Sequence, residues 1–183
     1  MWSSHVKTGT ELTISSISAT ALAKEFGTPA FIMDESDFRD RAAAWNIALN
    51  NAFGSNAGTV YYAAKAFICV EVARWIKDIG IGIDVCTGGE LAVALKGGID
   101  PAKIEVHGNN KSVTEIEKAV AAGVGTIVID SLYEIERVSA AAAKHGVVQK
   151  VLLRLTPGIE AHTHESIATA HEDVKFGFSI ASG

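Results

Sequence analysis

From Thr59 onward, short apolar runs rich in β-branched residues alternate with alanine-rich stretches at helical spacing. The runs "TVYYAA" (59–64), "IGIDV" (81–85), "KIEVH" (103–107), "TIVID" (126–130) and "KVLLRL" (150–155) predict strands. Their near-continuous apolarity is the pattern of parallel strands covered on both faces. Between them, "VEVARWIKDIG" (70–80), "GGELAVALKGG" (88–98), "SVTEIEKAVAAGV" (112–124) and "SLYEIERVSAAAAKHG" (131–146) predict helices, each with glycine at or near its end as a stop. The unit is a strand followed by a helix, repeated every 21 to 24 residues or so. No leucine-rich or other repeat consensus recurs, so a parallel α/β sheet or barrel is expected in place of a solenoid.

Upstream, "TPAFIMDESDFRDRAAAWNIALNNAFG" (28–54) predicts one more strand and then a helix, with Asp34 or Ser36 as cap at the join. Residues 1–30 read as a peripheral arm in which "ELTISSIS" predicts a strand and "ATALAKEFG" a short helix. Residues 31–183 are then expected to form one α/β domain.

Composition narrows the function. Of 183 residues 48% are hydrophobic, with a mean hydropathy of +0.23, enough for a sizeable core. Sixteen basic against 21 acidic residues give a net charge of −5, scattered without a basic block. That argues against nucleic acid or an anionic membrane as partner. No apolar run approaches the roughly 20 residues of a membrane span. Cys69 and Cys86 form no CxxC pattern, and Met1 to His5 are not followed by the apolar core of a signal peptide. A reduced, cytoplasmic protein is expected.

In parallel α/β folds ligands sit outside the carboxyl ends of the strands. Those ends carry Lys65; Asp84 with Cys86; His107, Asn109 and Asn110; Asp130 with Ser131; and Arg154 with Thr156. Lys65 draws attention because lysine is almost never fully buried unpaired. At a desolvated rim it becomes an amine able to condense with a carbonyl. Arg154 stays charged and suits an anionic oxygen, and Asp84 balances positive charge. The plainer structural reading has Lys65 reaching solvent, Asp84 capping the next helix and Arg154 pairing with Asp84.

These residues also carry a resemblance. "YYAAKAF" resembles the lysine segment of the fold-type III pyridoxal-phosphate enzymes, the group of alanine racemase and the ornithine, arginine and diaminopimelate decarboxylases. "IDVCTGGEL", "HGNNKS", "TPGIEAHTHE" and "HEDVKFGFS" are similar to the diaminopimelate decarboxylases, in matching order from about Thr28 to Gly183. The resemblance implies a partial (β/α)8 TIM barrel of the alanine racemase type, with about five barrel strands in this chain. It implies pyridoxal phosphate as cofactor, held covalently by Lys65 as catalytic residue, with Asp84, His107 and Arg154 as further cofactor-binding residues. Arg154 would approach the cofactor's phenolic oxygen, and Asn109 and Lys111 would only shape their loop.

The implied reaction is decarboxylation of meso-diaminopimelate to lysine, by a homodimer with shared active sites. The alternatives are an ornithine or arginine decarboxylase of the same group, or a non-catalytic cofactor-binding remnant. The resemblance further implies that the cofactor-stacking histidine, the phosphate loop and the partner-supplied cysteine segment lie beyond Gly183. The 183-residue chain alone is therefore expected to be inactive, to bind pyridoxal phosphate poorly and, as an open sheet with a bare edge, to be prone to association.

Other motifs are weaker. His162, His164, Glu165 and His171 have the ligand types of a zinc site, but the resemblance makes them an active-site loop, and no metal is expected. Gly80 and Gly82, like Gly123 and Gly125, precede their strands, the wrong end for a dinucleotide pyrophosphate. Cys69 and Cys86 are expected to pack as small apolar residues, although Cys86 is at the rim. Trp75, with Ala73 and Ile76, is expected to pack its helix on the sheet.

Overall fold

The computed structural model describes residues 5–8, 10–55, 58–158 and 176–180. It divides into two compact units, Met1–Val60 and Tyr61–Gly183. In the first, β1 (His5–Thr8), β2 (Glu11–Ile14) and β3 (Ile17–Ser18) form an antiparallel meander. Ser18 then caps α1 (Ala19–Phe26), its hydroxyl accepting from the Ala21 N–H. Asp34, not Ser36, caps α2 (Glu35–Phe53) by accepting from the Asp37 N–H. The strand expected between residues 28 and 34 does not form. Pro29 offers no N–H to a ladder, and Phe31, Ile32 and Met33 stay exposed, Phe31 to 98%, where a strand would bury one face.

The second unit begins with β4 (Tyr61–Ala63) and runs through α3 (Val70–Ile79), β5 (Gly82–Val85), α4 (Gly88–Lys96), β6 (Ile104–Val106), α5 (Val113–Ala122), β7 (Thr126–Ile129), α6 (Leu132–His145) and β8 (Val151–Leu153). The five strands pair in chain order, all parallel. Parallel neighbours need a crossover between them, and α3 to α6 supply one after each of β4 to β7. Left-handed glycines, Gly80, Gly123 and Gly146, end α3, α5 and α6. Gly80 and Gly82 thus sit at the amino end of β5, and Gly123 and Gly125 at that of β7.

Register separates the two faces. Ile83, Val85, Ile104, Val106, Ile127 and Ile129 are buried and share the parity that faces the helices. Val72, Ala73, Trp75 and Ile76 of α3 are buried likewise, as expected of that helix. The opposite parity carries Asp84, Glu105, Thr126, Val128 and Leu152. What reads in sequence as continuous apolar runs is therefore an alternation with chemistry on one face.

After Arg154, β9 (Leu155–Thr156) pairs in parallel with β10 (Phe178–Ser179) as a separate two-stranded sheet. Outside β8 the apolar surface is open: Val148, Val151 and Leu153 are exposed and, with Ile135 and Val147, line a groove of about 480 Å3 beside α6. None of the described helices is long and apolar enough to cross a membrane.

Candidate active site

A pocket of about 790 Å3 lies at the carboxyl ends of β4 to β8. Lys65, Asp84, His107 and Arg154, which the sequence nominated from four separate strand ends, all line it. Lys65 follows β4 in a single 3-10 turn, Ala64–Ala66; Ala64 is buried and Lys65 is exposed at the pocket. The Tyr62 hydroxyl donates to the Phe67 carbonyl at 2.7 Å and closes that turn.

Asp84 and Glu105 are register neighbours on adjacent strands, two carboxyl groups side by side on the pocket face. Burial pushes the Asp84 carboxyl above its ordinary range; His107 pulls it down, Glu105 pushes it up and the Lys65 charge pulls it down. The His107 ring answers this acidity: its Nε2 is 2.6 Å from Glu105 Oε1 and 3.9 Å from Asp84 Oδ2. Asp84 does not cap the following helix; the Thr87 hydroxyl does, accepting from the Glu90 N–H. Cys86 lines the pocket half-buried, its N–H donated to Glu90 at 2.6 Å. Burial, then the Asp84 and Glu90 charges, push its thiol up, so it remains protonated and a poor nucleophile. Cys69 is exposed at the cap position of α3, not packed as expected.

Arg154 pairs with Asp130, not with Asp84: Nη1 lies 3.5 Å from Asp130 Oδ1, and the guanidinium lies 4.0 Å above the Phe176 ring. Asp84 is three strands away in the sheet, whereas Asp130 directly follows the adjacent strand. Asn109 lines the pocket. Lys111 is 3% exposed and shapes its loop from inside, donating to the carbonyls of Gly108 (2.6 Å) and Val128 (2.7 Å) and pairing with Glu134 at 3.0 Å. Glu134, 2% exposed, also accepts the Asp130 N–H at 2.8 Å. Two buried charges are tolerated here because each satisfies the other.

Sequence reasoning missed Glu105 and Glu134. Glu105 stands two residues before His107, so strand alternation alone puts both on one face. Glu134 stands four residues after Asp130, at the first turn of a helix, where a carboxylate reaches backbone N–H groups. The set His162, His164, Glu165 and His171 lies outside the described residues.

Five parallel strands alternating with helices, with a lysine-bearing pocket at the carboxyl ends, make an α/β domain that takes its ligand at the strand ends. The chain belongs to the pyridoxal-dependent decarboxylases: residues 35–182 match their pyridoxal binding domain. Over 170 residues it is 60% identical to the diaminopimelate decarboxylase of Mycobacterium tuberculosis, covering 93% of this chain and 37% of that protein. The solved diaminopimelate decarboxylase of M. jannaschii in co-complex with L-lysine matches with a TM-score of 0.85 at 28% identity, over 100% of this chain and 42% of that one. The Helicobacter pylori enzyme complexed with L-lysine gives 0.72 at 28% identity, over 84% of this chain and 39% of that one. The sheet is thus part of a TIM barrel. The chain spans 37% of the mycobacterial relative's length.

Proposed function

We propose that this chain is the cofactor-binding part of a decarboxylase that converts meso-diaminopimelate to lysine and carbon dioxide. The observation that carries this reading is the convergence of Lys65, Asp84, His107 and Arg154 on one pocket of about 790 Å3, in a chain 60% identical to a diaminopimelate decarboxylase. A small-molecule site is typically about 300 to 1,000 Å3. The donor set fits pyridoxal phosphate: one accessible amine for its aldehyde, one permanent cation for an anionic oxygen, and a carboxylate beside the amine.

Bound there, the cofactor supplies a ring that accepts the electron pair left when the carboxylate departs as carbon dioxide. The residues supply position and charge. Lys65 would hold the cofactor through its amine and, once released, would hold or move a proton at Nζ. Asp84 balances positive charge at Lys65. Arg154 meets an anionic oxygen at the opposite wall. His107, its Nε2 held by Glu105, fixes one side of the pocket.

We further infer a homodimer working in the cytoplasm; both cysteines are free, as a reducing compartment allows. For the protein at its relatives' length, incubation with pyridoxal phosphate, borohydride reduction and peptide mapping are expected to place one adduct on Lys65. An adduct confined to other lysines overturns the assignment. For the protein at its relatives' length, lysine is expected from diaminopimelate, and a preference for ornithine or arginine overturns the substrate.

A further inference from the structure

We propose that Asp130 is a positioning residue for Arg154, using one buried carboxylate to fix both the guanidinium and the chain that supports it. The Asp130 side chain is 4% exposed. Its Oδ2 accepts the Gly177 N–H at 3.0 Å. Its Oδ1 is buried without a hydrogen bond among the described residues and faces Nη1 of Arg154 at 3.5 Å. A buried carboxylate oxygen left unpaired is costly, and the guanidinium compensates it.

The other restraints on Arg154 converge. Its backbone is clamped on both sides, its N–H donated to the Ile129 carbonyl at 3.0 Å and its carbonyl accepting from the Phe178 N–H at 2.8 Å. One face of the guanidinium rests on the Phe176 ring. Gly177 makes the arrangement possible, since a Cβ there would fall 2.6 Å from the Arg154 carbonyl oxygen. Asp130 is itself held from behind, its N–H donated to Glu134, whose charge Lys111 balances. With one edge at Asp130 and one face on Phe176, the guanidinium presents its remaining side to the pocket.

This inference rests on the reading of Arg154 as the pocket's anion-binding group, and its test separates the two. In the protein at its relatives' length, pyridoxal phosphate affinity is measured by borohydride trapping for wild type, Asp130→Asn, Arg154→Gln and the double variant. Asp130→Asn is expected to weaken binding about tenfold, and to have little further effect once Arg154 is Gln, because residues acting as one unit are not additive. In parallel, the Arg154 Nε–H resonance is expected to be resolved in wild type and shifted or broadened in Asp130→Asn, while the amide spectrum of the sheet is retained.

Equal losses with and without Arg154 overturn the proposal, as does an unmoved Arg154 resonance. If no variant or wild type captures pyridoxal phosphate, the functional reading fails and the resonance alone decides the positioning role. Should Asp130→Asn not fold, Phe176→Leu takes its place. It is expected to give a smaller loss that likewise vanishes in the Arg154→Gln background, and a loss that persists there overturns the proposal.

Discussion

The two ends of the parallel sheet are made by the same strands and put to opposite uses. At the amino ends the side chains shrink and the backbones touch. The Gly125 N–H donates to the Pro101 carbonyl at 2.9 Å, and a Cβ there would fall 2.1 Å from the Ala102 oxygen. Lys103 reaches across to the Gly80 carbonyl at 2.8 Å. At the carboxyl ends stand Lys65, Asp84, Glu105, His107 and Arg154, including two neighbouring carboxyl groups. One end holds the sheet by close approach, and the other tolerates like charges for the sake of a site. Substitutions at the amino end should cost stability and spare the chemistry, and those at the rim should do the reverse.

The sharpest test is Lys65→Ala, expected to abolish the borohydride adduct altogether while shifting stability by no more than about 0.5 kcal/mol, the range of an exposed substitution. A large drop in the thermal midpoint would break the comparison. Lys111→Met probes it from the other side, as a rim-loop residue whose work is support. Leaving the Glu134 charge buried without its cation should cost about 3–5 kcal/mol in a urea titration, with Lys111→Met/Glu134→Leu recovering only part of it because the Asp130 N–H then loses its acceptor.

Gly125→Ala should cost about 1–3 kcal/mol, since the obstacle is a backbone carbonyl that cannot rotate away, and should leave the Lys65 adduct intact.

Two smaller effects carry opposite pH signatures. Hydrogen bonds from the Ser112 backbone, the Gly88 backbone and the Ser112 hydroxyl hold the Glu115 carboxyl below its ordinary range. Its contribution is complete above that ordinary range and is lost as pH falls through the depressed value. Glu115→Gln should cost about 1 kcal/mol at neutral pH, the scale of a lost cap, and less in acid. Asp84, pushed up chiefly by burial, opposes folding when ionised, and that penalty is relieved as pH falls through its raised value. Asp84→Asn should therefore raise the thermal midpoint slightly at neutral pH and flatten its acid dependence.

Much of this was legible in the sequence because local signals agreed. The expected strands at 59–64, 81–85, 103–107, 126–130 and 150–155 contain the observed β4 to β8, and the glycine stops mark the ends of α3, α5 and α6. The four nominated rim residues share a pocket because parallel strands bring their carboxyl ends together. The failures are of another kind. Residues 28–33 have strand composition but pair with no strand among the described residues, and composition cannot supply one. The Asp84–Glu105 neighbours and the Asp130–Arg154 pair depend on register and on which strand lies next to which. Those relations span 24 residues in the case of Asp130 and Arg154, beyond the reach of any local pattern.

The Glu115 carboxylate serves two helices at once. It accepts from the Ser112 N–H and hydroxyl at the start of α5 and from the Gly88 N–H at the start of α4. The amides of Gly88 and Ser112 should consequently share a single opening reaction in hydrogen exchange, so that neither helix frays from its first turn without releasing the other.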